Sequence, residues 1–144
     1  LTVDELRDLT DYRVAIAGAA AALAAERASQ ADLEGMRRLV ESMSTCATFK
    51  EFRRADARFH LAVAAAAGSA RLAAAEAALQ NEVGVLMSLI PHPPEALALS
   101  NRQHRAVLEA ASGRDRDGAR ALMEAHVRGT GDFLVGLRLG KVGA

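Results

Sequence analysis

Residues 48–68 read TFKEFRRADARFHLAVAAAAG. Thr48 with Glu51 three residues on is the pattern of a capping box, which satisfies orphan backbone donors at a helix start. Phe49, Phe52, Phe59 and Val63 then recur at helical spacing and mark one apolar face. Gly68 closes the run, because glycine accepts the left-handed backbone that commonly ends a helix. Within the same stretch, Asp56 and His60 stand four residues apart and so share one helix face.

The same punctuation continues outward. Upstream, Ser29 with Asp32 opens a helix whose apolar face is Leu33, Met36, Leu39, Val40 and Met43. Before it, a first helix runs from about Val3 to Arg27, with Leu6, Leu9, Arg13, Ile16 and Leu23 at helical spacing. Downstream, Ser69 opens a fourth helix through Leu72, Leu79, Val83, Leu86 and Leu89. Pro91-His92-Pro93-Pro94 must break the chain, since proline lacks the donor and clashes inside a helix. His92 in that loop is expected to be solvated. A fifth helix follows through Leu97, His104, Leu108 and Ala111, ended by Gly113. Asp115 caps a sixth through Leu122, His126, Phe133 and Leu137, and the tail from Gly140 to Ala144 is expected to fray. With no internal repeat and no dividing linker, the reading is one all-α domain over residues 1–144.

Composition agrees. The chain has 144 residues, enough to bury a core without staples, and 51% of them are hydrophobic, which excludes bulk disorder. Much of that fraction is alanine, the best helix former, while aromatics are only 3%, which argues against a sheet protein. Eighteen basic residues balance 18 acidic ones, so no electrostatic footprint for nucleic acid or anionic membrane is present. The single cysteine, Cys46, has no internal disulfide partner, which suits a reducing cytoplasm. No apolar run approaches the ~20 residues of a membrane span, and no signal-peptide pattern is seen. The start at Leu1 rather than methionine reads as a piece of a longer protein, with something expected upstream.

Of the four histidines, His60, His104 and His126 fall inside helices. An Asp56–His60 pair can chelate one ion, although such pairs are common on helix surfaces. His104 lies ~14 Å before the Gly113 turn and His126 ~17 Å after Asp115, at 1.5 Å rise per residue. If the two helices form an antiparallel hairpin, both imidazoles reach nearly the same level. One carboxylate and three imidazoles then make a mononuclear site for zinc, nickel, cobalt or manganese, with positions left open for a water or a ligand oxygen. The bland alternative is that each histidine is separately satisfied in the core or at the surface. The sequence leaves both open.

Three stretches carry a family resemblance: Tyr12-Arg13 running into the alanine string that ends at Ala28; Phe52 to Ala64 with Ala67-Gly68; and His104 to Ala111 with Gly113-Arg114-Asp115, Ala119 and Met123-Glu124-Ala125-His126. Over nearly its whole length the chain resembles the FCD-type C-terminal domain of GntR-class bacterial transcription regulators. The resemblance implies an antiparallel bundle of six or seven helices. It implies one divalent metal ion, zinc first, held by Asp56, His60, His104 and His126. It also implies a small organic acid or sugar acid bound near the metal, a homodimer, and DNA contacted only through an upstream winged helix-turn-helix domain that this chain lacks. The family's usual glutamate four residues after Arg13 is Ala17 here, and its frequent asparagine after Gly68 is Ser69. Arg13 is the first candidate for an effector carboxylate, through its planar fork, with a surface salt bridge as its bland role. Asn81 and Arg102 are further pocket candidates.

The leading functional expectation is ligand sensing, not catalysis. The alternative is a mononuclear metal-dependent hydrolase or isomerase, which would need a general base, and Glu76, Glu82, Glu109 and Glu124 have no assigned place at the metal. A di-metal carboxylate bundle would need Glu-x-x-His pairs, and Glu124 with His126 has the wrong spacing.

Overall fold

A computed structural model describes residues 1–143; Ala144, the end of the tail expected to fray, lies outside the described residues. Six helices follow one another among them: α1 Val3–Arg27, α2 Gln30–Thr45, α3 Phe49–Ala66, α4 Ala70–Ser88, α5 Pro94–Ser112 and α6 Arg116–Gly143. α6 thus continues through much of that tail. No described helix is long and apolar enough to cross a membrane.

The boundaries have local causes. The Ser29 hydroxyl accepts from the Asp32 amide at 3.0 Å, and the Asp32 carboxylate accepts from the Ser29 amide at 2.9 Å, a complete capping box. Thr2 and Glu5 build the same device at the start of α1. At α3 the Thr48 hydroxyl accepts from the Glu51 amide as expected, but the Glu51 carboxylate turns to the Ala47 amide, one residue beyond the box. Gly68 takes the left-handed conformation at φ 73°. At the other turn the left-handed residue is Arg114, at φ 59°, and not Gly113, which stays at φ −81°. The Asp115 carboxylate accepts from the Gly118 amide at 3.0 Å and caps α6. Pro94 stands at the first position of α5, where its missing donor costs nothing.

α1 and α6 run antiparallel along each other. The Arg138 Nε donates to the Leu1 carbonyl at one end, and Arg116 pairs with Glu26 at the other. A Cβ added at Gly18 would meet Glu124 Cγ at 2.8 Å, so glycine is what lets the helices approach this closely. α1 also packs on α3, α4 and α5, while α2 packs on α3 and α5. Alanines 20, 21, 22, 24 and 25 of α1 are almost completely buried in a core that includes Met36, Val40, Phe59, Met123 and Val127. The small α1 side chains let the surrounding helices close around it.

Candidate metal centre and adjoining cavity

Three helices deliver the four sequence-predicted ligands to one place. α3 supplies Asp56 and, one turn later, His60. α5 and α6 supply His104 and His126 from the two arms of a hairpin, with ring centroids 4.6 Å apart. The four donor atoms lie within 4.8 Å of one another. His104 Nε2 is 2.9 Å and His60 Nε2 3.3 Å from Asp56 Oδ1.

The proton positions are set from behind. Asn101 Nδ2 donates to the Val40 carbonyl at 3.0 Å, which turns Asn101 Oδ1 toward His104 Nδ1 at 3.4 Å. Gln103 Oε1 lies 2.7 Å from His126 Nδ1. Both partners are acceptors, so in each ring the proton is assigned to Nδ1 and the lone pair to Nε2. His104 Nε2 is buried and, although close to Asp56, makes no hydrogen bond of acceptable angle. A buried nitrogen lone pair beside a carboxylate oxygen is poorly satisfied by these two groups alone and well satisfied by a cation between them. The donor set, three neutral imidazoles and one carboxylate, fits a zinc-like divalent ion bonded at ~2.0–2.2 Å.

Electrostatics point the same way. Burial pushes the Asp56 carboxyl up, but the adjoining His104 and His60 rings outweigh it and hold the group well below the usual carboxylate range. Burial lowers His104, against the pull of Asp56. Burial, then the charges of His104 and His60, hold His126 well below the usual imidazole range. An anionic Asp56 beside neutral His104 and His126 is the state that ligation requires.

The second oxygen of Asp56 accepts from Arg53. Arg53 also donates to Gln80 Oε1 at 2.8 Å, and Gln80 Nε2 donates to Glu76 Oε1 at 2.7 Å. This chain of bonds anchors the carboxylate from the α4 side. Sequence reasoning missed Arg53, Gln80, Asn101 and Gln103. Two spacings were available as signals: Arg53 is one turn before Asp56, and Asn101 one turn before His104.

A cavity of about 200 Å³ opens on the faces of Asp56, His60 and His126, while His104 is 0% exposed. Arg13 lines it, only 6% exposed, with no hydrogen bond or ion pair of its own among the described residues. Burial lowers the pKa of its guanidinium, with Glu76 and Asp56 acting against that. The structure does not bring Asn81 or Arg102 to this cavity. Asn81 is exposed on α4, and Arg102 is exposed beside a separate surface groove near Cys46. The buried amides are their sequence neighbours Gln80 and Asn101. His92 is not the solvated loop residue expected. Its ring stacks on Phe49 at 4.0 Å, its Nε2 meets the Met87 carbonyl at 3.1 Å, and it forms part of the cavity wall.

Residues 8–129 match the FCD domain family. The chain belongs to that family. A relative described as "Putative HTH-type transcriptional regulator RmpR" from Mycobacterium gastri is 40% identical over 81 residues, covering 56% of this FCD domain and 30% of the relative. Among solved structures, E. coli McbR/YncC superposes with a TM-score of 0.81 and Streptococcus agalactiae GntR with 0.76, each at 19% identity over 91% of the domain. The superpositions cover 64% and 60% of those two chains, so the FCD domain spans well under the length of its relatives. At that identity the two structures establish the shared fold.

Proposed function

We propose that this FCD domain is the effector-sensing part of a GntR-type transcription regulator, binding a small organic acid or sugar acid at a mononuclear metal site. Asp56, His60, His104 and His126 would hold the ion, with zinc favoured by the nitrogen-rich donor set over nickel, manganese or cobalt. When bound, the ion supplies a Lewis-acidic position for a carboxylate or hydroxyl oxygen. Arg13 supplies a fixed positive fork on the same cavity. Gln103 and Asn101 keep the imidazole lone pairs aimed inward, and Arg53 holds the Asp56 carboxylate in place.

The observation that carries this reading is the pairing of a buried, incompletely satisfied ligand set with a buried, unpaired arginine across one cavity. The hydrolase or isomerase reading has less support. Among the described residues Asp56, itself a ligand candidate, is the only carboxylate on the cavity wall, and Glu76 is tied to Gln80. An acid in the cavity would touch α1, α3 and α6 together. A difference in affinity between two arrangements of those helices would change the presentation of winged-helix domains in a homodimer.

Metal analysis and calorimetry test the site. Binding of operator DNA by the full-length regulator, with and without acid, tests the sensing. About one zinc per chain, an acid that binds only the zinc-loaded form, and altered DNA affinity are the expected results. Acid binding that leaves DNA affinity unchanged in every case would refute sensing.

A further inference from the structure

The cavity wall has a chemical character of its own, and it narrows the class of acid. Three of the chain's four phenylalanines, Phe49, Phe52 and Phe133, line it, with Val83, Met87 and Leu97. His92 lies flat on Phe49, the ring planes 13° apart, and its ring centroid is 6.0 Å from that of Phe133, so the loop adds a ring to the cavity wall. A protein in which aromatics are 3% of residues has thus concentrated them at one site.

Most polar groups on the same wall are already engaged. Arg53 is bonded to Asp56 and Gln80, Gln103 Oε1 to His126, His92 Nε2 to the Met87 carbonyl, and the Thr130 hydroxyl donates to the His126 carbonyl at 3.3 Å. Arg53 Nε and His60 Nδ1 also lack a partner but are buried, which leaves Arg13, the Ser100 hydroxyl and the Gln103 amide nitrogen to meet polar atoms of a ligand. A sugar acid brings a row of hydroxyls, each needing a partner once out of water, and this wall would strand most of them. A single carboxylate needs only the charged end. At about 200 Å³ the cavity is smaller than the ~300 Å³ or more usual for drug-sized ligands, and it suits one ring with a short acid arm.

We propose that the effector is a monocarboxylate with a compact aromatic body, its carboxylate toward Arg13 and the ligand set and its ring between Phe133 and the Phe49–His92 stack. Offset and edge-on ring contacts would favour an aromatic over an equally large polyhydroxylated body. The proposal rests on the sensor reading above, and the test separates the two.

Calorimetry on the zinc-loaded 144-residue chain would compare 3-phenylpropionate with gluconate, and with lactate and citrate as small polar acids. Expected is at least ten-fold tighter binding of 3-phenylpropionate than of gluconate. Phe133→Ala and, separately, His92→Ala should each remove most of that preference while zinc content stays at the wild-type value. His92 is the second variant because it sits in a loop, outside the helices, and its loss should not disturb folding. Gluconate binding as tightly as 3-phenylpropionate, or a preference that survives both substitutions, overturns the aromatic-body proposal and leaves acid sensing intact. Binding of none of the four acids by the zinc-loaded chain overturns both.

Discussion

The two halves of α1 meet different kinds of interior. From Ala20 to Ala28 the chain shares an apolar core with Met36, Val40, Ala64, Ala111 and Ala119, side chains that need only close contact. Seven residues before Ala20, Arg13 lines a cavity with Asp56, His60 and His126, where groups are buried that would each be better solvated or better paired. The dry end is stabilised by what fills it. The polar end is held in shape by hydrogen bonds from its rim and completed by what binds it. One helix therefore anchors the fold with one half and presents a charge with the other.

The largest expected effect would break the dry end. Met36→Ala should cost about 2–5 kcal/mol in denaturant unfolding, equally in the metal-free and zinc-loaded protein, because it opens a cavity in the apolar core. A cost that depends on zinc would mean that the two ends are one energetic unit. Next, His126→Ala should abolish the zinc-dependent part of stability, about 3–4 kcal/mol at a few hundred times the dissociation constant. Its metal-free melting should stay close to that of the wild type. Melting with zinc and with chelator measures both quantities.

Smaller effects sharpen the contrast. Gln103→Leu should keep the fold but weaken zinc binding about 10- to 100-fold in competition with a chelating dye, since His126 loses the acceptor that fixes its tautomer. Zinc affinity unchanged within two-fold would show that the ring is oriented by packing alone. Arg13→Met should leave stability unchanged or raise it by up to about 1 kcal/mol, because an unpaired buried cation is removed and the stem is kept. The same variant should lose acid binding at least ten-fold with zinc content intact.

Much of this contrast was legible before any coordinates, and the reason is range. Capping boxes, Gly68 and the Asp56–His60 pair act over three or four residues, so their geometry follows from the helix itself. His104 and His126 needed only the assumption of an antiparallel hairpin, and rise-per-residue arithmetic put them at one level. Asn81 and Arg102 failed on phase. One residue of shift turns a helical side chain about 100°, so the buried amides proved to be Gln80 and Asn101. His92 failed for another reason: a proline-rich loop has no period to read, and whether it projects or folds back depends on Phe49 and Phe133, far away in sequence.

The sequence by itself thus determined the helices and most of their ends, and nominated the four side chains as candidates to share an ion, because those features depend on local backbone geometry and short spacings. Only the tertiary structure decided which amides of α4 and α5 are inside, how the Asp56 carboxylate and the His104 and His126 imidazoles are held from behind, and that the cavity beside them is walled by aromatic rings with an arginine that has no partner among the described residues. Those outcomes depend on contacts between α1, α3, α4, α5 and α6, whose relative rotation no local pattern encodes.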